Sequence, residues 1–252
     1  MIPLTPLFSQ YRDSFFLYAF RHMNRIRIEN SKQLANILSS ELTYLYNIAC
    51  LITYKDVQPV EVEEIKKWTL SLDKSFDVER MRILFNHKME ELNLRAPQPK
   101  NYSYTFTTIW DTIHFMALLA DDMVNNREKL TYDVVAFHLK QIKVFFYNLF
   151  LKLDCAICRD HYINIKGNLI FYVERIEICL HREKYGEDVV WVDEITPSNV
   201  SKNVLMKHGM LYTTMVFHNH VNDYKWIQRN TKPPKNTERM EWSKYKELLE
   251  LK

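Results

Sequence analysis

Glycine is nearly missing from this chain: Gly167, Gly186 and Gly209 are the only three in 252 residues. Tight φ > 0 turns and close backbone approach to phosphate depend on glycine. A Rossmann turn, a P-loop, a nucleophile elbow and a many-turned β-sandwich are therefore hard to build here. Neither G-x-G-x-x-G, G-x-x-x-x-G-K-[ST] nor G-x-S-x-G occurs. The three glycines lie far apart, as helix stops or isolated residues do.

What remains is helix. Apolar residues make up 47% and charged residues 26%, the balance of an ordered globular chain. Residues 131–153 are the most regular stretch: Val135, Leu139, Ile142, Phe146, Leu149 and Leu153 recur at spacings of 4, 3, 4, 3 and 4. Similar patterns predict helices over 8–28, 31–53, 60–72, 77–94, 106–123, 168–183, 198–229 and 241–251. Residues 188–197, with Val189-Val190-Trp191-Val192, read as a short strand or extended loop. Ala96-Pro97-Gln98-Pro99 is the clearest boundary signal. The expected architecture is all-α, with helical domains over 1–96 and 97–252.

Net charge is +3, too weak to imply nucleic acid. The basic stretch 225–235 is assigned to a cofactor or solvent instead. The longest apolar run, 144–151, is too short to span a bilayer, so no transmembrane segment is expected. Arg12 and Asp13 precede any apolar run, which argues against a signal peptide and for a cytosolic start.

The four cysteines stand at 50, 155, 158 and 179. Cys50 and Cys179 read as buried thiols. Cys155 and Cys158 form a Cys-x-x-Cys behind Asp154, a candidate helix cap. At a helix N-terminus the dipole lowers thiol pKa, and this spacing lets the second cysteine attack the first. A reversible redox disulfide fits. So does zinc held by Cys155, Cys158 and His161 with His218 or His220, and so do two ordinary buried thiols.

Two other groupings stand out. Trp110 and His114 are one turn apart on one helix, a pairing that core packing alone often gives. His218-Asn219-His220-Val221-Asn222 interrupts a long helix, where asparagine is disfavoured. Thr214, His218, Asn222, Lys225 and Arg229 run down one side of that helix. Such a stripe suits a planar heterocycle followed by a diphosphate, or simply a solvated face.

Trp-x-x-x-His, then Cys-x-x-Cys, then His-Asn-x-Val-Asn resembles, in kind and order, the Erv/ALR family of FAD-linked sulfhydryl oxidases. The likeness to divergent baculoviral members covers the whole chain. It includes Met1-Ile2-Pro3-Leu4-Thr5-Pro6, residues 104–111, Cys158-Arg159-Asp160-His161-Tyr162 and residues 224–230.

The resemblance implies FAD held in an Erv-type helical bundle with no Rossmann half, and an N-terminal domain that is a degenerate copy. It implies a thiol oxidase: protein dithiol plus O₂ gives disulfide plus H₂O₂. Cys155 would be the interchange cysteine, and Cys158 would lie against the flavin. Trp110, His114, His218, Asn219, Val221, Asn222, Lys225 and Trp242 would line the cofactor. No metal is implied. Partners would be thiol-bearing, viral substrate proteins and a second copy in a homodimer. The site of action would be host cytoplasm and nucleus, with incorporation into virions. The sequence departs from the family in having Leu153-Asp154 where Tyr-Pro often precedes the cysteines. A second, shuttle Cys-x-x-Cys is also missing, so substrate is expected to reach Cys155 directly.

Overall fold

The structure, a computed structural model, describes residues 2–251, with Lys225 known only by its place in a helix. Among the described residues the chain forms ten α-helices and two short strands, so the fold is all-α as expected. In order they are α1 (Pro6–Ile28), α2 (Lys32–Tyr54), α3 (Pro59–Ser71), α4 (Val78–Glu91), α5 (Phe106–Asn125), α6 (Tyr132–Asn148), α7 (Ala156–Ile165), α8 (Gly167–Lys184), β1 (Val190–Val192), β2 (Val204–Met206), α9 (Gly209–Gln228) and α10 (Trp242–Leu248).

The chain divides into two compact units: Gln10–Thr112, and Met1–Ser9 with Ile113–Lys252. The Pro97/Pro99 segment is the connector between α4 and α5; the compact units divide further on, within α5. In the first unit Ser31 and Asp77 cap α2 and α4 by accepting from the backbone N–H groups of Leu34 and Arg80. Its core is aromatic: the Phe20 ring meets Phe85 and Tyr102 at 5.1 and 5.0 Å between centroids.

The second unit contains Cys155, Cys158, His114 and His218. Thr131 caps α6, and Val135, Leu139, Ile142, Phe146, Leu149 and Leu153 are all buried, as their periodicity predicted. The α-helix ends at Asn148, however, and tightens into a 3₁₀ turn over Leu149–Lys152. By length and composition alone, Tyr132–Lys152 would pass for a membrane span. Its buried stripe and its packing on α8 are those of a core helix.

The predicted helix over 198–229 begins only at Gly209. Residues 204–206 instead form β2, parallel to β1. Long-range hydrogen bonds override the local pattern. The Arg175 guanidinium donates to the carbonyls of Val200 and Val204, and the Asn203 amide donates to those of Cys179 and Glu187. The 188–197 region is thus partly strand, tied beside α8.

The start of α9 is fixed tightly. His208 is left-handed, with φ 56°, and makes no side-chain cap. A Cβ on Gly209 would fall 1.6 Å from the Tyr172 hydroxyl and 2.9 Å from Met206 Cβ, so any larger residue would have to displace both side chains. The buried Asp121 carboxylate of α5 accepts from the N–H groups of Met210 and Leu211, at 3.0 and 2.8 Å. This interaction anchors α9 to α5 from outside its own sequence. Replacing Asp121 with alanine leaves both N–H groups buried without a partner. Denaturant unfolding should show a loss of about 1–3 kcal/mol, whereas an exposed Asp193→Ala control should change little.

Candidate active site

Cys155 is itself the N-cap of α7: its Sγ accepts from the backbone N–H of Cys158 at 3.2 Å. The sequence had suggested Asp154 for that role; Asp154 is exposed and one position too early. Cys155 and Cys158 form a disulfide, with Cα atoms 5.2 Å apart. Both are half-buried, and Asp154, Ala156 and Ile157 around them are exposed. The bond is therefore reachable from solvent at the positive end of a helix. After reduction, the dipole and the Cys158 N–H both favour a thiolate there. The Tyr162 hydroxyl donates to the Phe146 carbonyl at 2.7 Å, which fixes α7 to α6.

One turn beyond Cys158, His161 is buried and stacks on Tyr224 of α9 with ring planes 11° apart. His220, one turn before Tyr224, lies 5.9 Å from the His161 ring. Burial first, and then the neighbouring His220, push the His161 pKa below its ordinary value. Its Nε2 is buried with no hydrogen-bond partner.

A second face of α9 meets His114, which is buried on α5. His114 Nδ1 lies 3.0 Å from Thr214 Oγ1, and its Nε2 lies 3.1 Å from His218 Nδ1. The Thr214 hydroxyl donates to the Leu211 carbonyl at 2.8 Å, so its oxygen accepts from His114 Nδ1–H. His114 Nε2 must then accept from His218 Nδ1–H, which leaves His218 Nε2 as an acceptor. Both rings are neutral in this chain. Burial holds His114 well below 6.5, with His218 adding to the effect, and lowers His218 to about 4.

The other expected site residues are spread more widely. Trp110 is half-buried one turn before His114 but falls in the first compact unit. Asn219 points to the C-terminal segment: its amide donates to the Met240 carbonyl and accepts from the Met240 N–H, both at 2.9 Å. Trp242 packs edge-on against Tyr212, at 5.3 Å. Val221 is half-buried, and Asn222 and Arg229 are exposed. The side chain of Lys225 lies outside the described residues. Sequence reasoning missed Tyr245, whose ring meets His114 edge-on at 5.5 Å. It also missed Tyr224 as the partner of His161. The i, i+4 pairing of His220 with Tyr224 was the available signal.

No group of three or more metal-binding side chains converges among the described residues, and the two sulfurs of the zinc alternative are bonded to each other. Cys50 and Cys179 are buried free thiols.

Residues 5–251 match the family described as Baculovirus P33. A protein named FAD-linked sulfhydryl oxidase, from Autographa californica nuclear polyhedrosis virus, is 52% identical over 258 aligned positions covering all of both chains. A 33 kDa early protein from Orgyia pseudotsugata multicapsid polyhedrosis virus is 47% identical over 282 positions, again covering both chains completely.

Neutral His114 and His218 give a pH signature. Their folded pKa values lie below the unfolded ~6.5. Their stabilisation is therefore complete above about 6.5 and is lost as pH falls toward 4. Asp121 acts oppositely: burial raises its pKa to about 7, so its contribution is complete below the unfolded ~3.9 and fades as pH rises to 7. With two groups acting against one, the histidine effect is expected to prevail. The melting temperature should fall between pH 6.5 and 4, and His114→Gln with His218→Gln should flatten or invert that slope.

Proposed function

Because the chain belongs to the Baculovirus P33 family and aligns end to end with a FAD-linked sulfhydryl oxidase, we infer that it is a FAD-linked thiol oxidase that makes disulfides in protein substrates. The observation that carries the mechanism is the Cys155–Cys158 disulfide at the exposed start of α7.

Exchange proceeds in two displacements. A substrate thiolate attacks Cys155 Sγ, the Cys155–Cys158 bond breaks, and Cys158 leaves as a thiolate. That thiolate forms in the first turn of α7, where the dipole and uncommitted N–H groups stabilise negative charge. A second substrate thiolate then attacks the substrate sulfur of the mixed disulfide and releases Cys155. The substrate has lost two electrons and two protons, and the pair 155/158 is reduced. FAD, when bound, supplies acceptance of the two electrons and their delivery to O₂ as H₂O₂.

The residues present fit such a cofactor. His161 Nε2 is a buried polar atom with no hydrogen-bond partner among the described residues, and the half-buried His218 presents a neutral imidazole. We assign contacts with the ring system to His114, His218, Val221, Asn222 and Trp242. The diphosphate charge is assigned to the cationic end of α9 at Lys225 and Arg229. Thr214 and Tyr245 hold the imidazoles in orientation.

On this reading residues 97–252 carry catalysis and 1–96 form the accompanying helical domain. Two copies pair as a homodimer, a reading supported by the exposed Val134, Phe137 and Tyr147 on α6. The protein acts in the cytoplasm and nucleus of the host cell and enters virions, in keeping with its viral family. Cell fractionation and purified virions test that placement.

The purified protein should be yellow, bind one FAD per chain, and form one H₂O₂ per dithiol oxidised. Cys155→Ser and Cys158→Ser should each abolish O₂ consumption with a reduced protein while leaving the flavin spectrum in place. A well-folded, colourless protein that consumes no O₂ with dithiols would overturn the reading.

A further inference from the structure

We propose that Asn219 is a positioning residue that clamps the C-terminal segment 239–249 onto α9, and that this segment holds the His114–His218 pair in place through Tyr245. The functional consequence rests on the oxidase reading above; the clamp itself does not.

The resemblance put Asn219 among the cofactor contacts. In the structure both halves of its amide are engaged by one peptide, donating to the Met240 carbonyl and accepting from the Met240 N–H at 2.9 Å each. One turn further on, Asp223 accepts from the Arg239 guanidinium at 2.6 Å. Two side chains of one α9 face thus grip two successive residues. The chain then turns into α10, where Trp242 meets Tyr212 at 5.3 Å and Tyr245 is buried with its ring edge-on to His114; Leu249, just past its end, is fully buried.

The helix α10 has only seven residues. Isolated helices shorter than ~12–15 residues are marginal in water, so α10 owes its order to docking. The stretch that leads to it, 229–241, has neither helix nor strand and contains Pro233 and Pro234. The Asn219 clamp stands at the end of that stretch and sets where α10 lands. Opening it frees Tyr245 from His114 and lets water reach an imidazole pair that burial keeps neutral. Cofactor retention then depends on Asn219 without contact from it.

Hydrogen–deuterium exchange on the full-length protein tests this. Losing two hydrogen bonds makes the expected effect of Asn219→Ala at least about fivefold faster exchange of amides 240–249, with α5 and α6 unchanged. Asn219→Asp keeps the acceptor for Met240 N–H but loses the donor. It should give an intermediate acceleration, and it decides the matter if the alanine variant does not fold. Asp223→Asn should loosen the same amides more weakly. FAD release, followed by flavin fluorescence, should speed up in the same order. Flavin loss with unchanged exchange at 240–249 would make Asn219 a direct contact and overturn the proposal, as would unchanged exchange with retained flavin. A wild-type protein that binds no flavin would instead sink the oxidase reading, while the exchange data would still decide the clamp.

Discussion

The grip of the Asp121 carboxylate on the first N–H groups of α9 sets the geometry on which the rest of the site depends. A helix held at its N-terminus by two hydrogen bonds, with Gly209 pressed against Tyr172, has neither freedom to slide nor freedom to rotate. That fixes the direction of every side chain along twenty residues. Thr214 and His218 are turned to His114, His220 and Tyr224 to His161, and Asn219 and Asp223 to the C-terminal segment. Three different surfaces of one helix thereby serve three tasks. A rotation of one residue, about 100°, would misalign all three.

Burial of the anchor and of its neighbours sets the electrostatics. Desolvation pushes Asp121 up to about 7 and holds the imidazoles of His114 and His218 down. These are the same physical effect acting on an acid and on two bases: burial disfavours whichever form is charged. The result is two neutral imidazoles packed in the same unit as a carboxyl group of raised pKa. Directional hydrogen bonds through Thr214, His114 and His218 replace ion pairs as the source of order.

Much of this was legible in the sequence, and the limits have a common cause. The α6 stripe could be read because its burial follows from its own periodicity. Cys-x-x-Cys, the His114 position and His218 could be read because spacing puts each on a definite helix face. The non-helical 198–208 segment could not: its conformation is imposed by Arg175 and by Asn203, whose partners lie far away in sequence. The same holds for Asn219. An asparagine inside a helix signals a polar partner, but nothing local names the Met240 backbone as one. Asp154 looked like a cap by residue type, while the actual cap is the Cys155 sulfur, a choice made by the register of α7.

The four cysteines divide along a physical line that the fold draws. Cys50 and Cys179 are buried, and desolvation raises both pKa values, Cys50 to about 11. A thiol in that state is a poor nucleophile at neutral pH. Cys179 is further occupied in a weak bond to the Val204 carbonyl at 3.6 Å, which belongs to the strand pair beside α8. Cys155 and Cys158 have the opposite surroundings: partial exposure, a helix N-terminus and an N–H directed at sulfur. An enzyme that makes disulfides must keep its own spare thiols from joining the exchange. Here burial silences two sulfurs, while the other two are joined to each other at a partly exposed helix start. The same scarcity of glycine that excludes a phosphate-binding loop leaves helix faces and helix ends as the means of doing both.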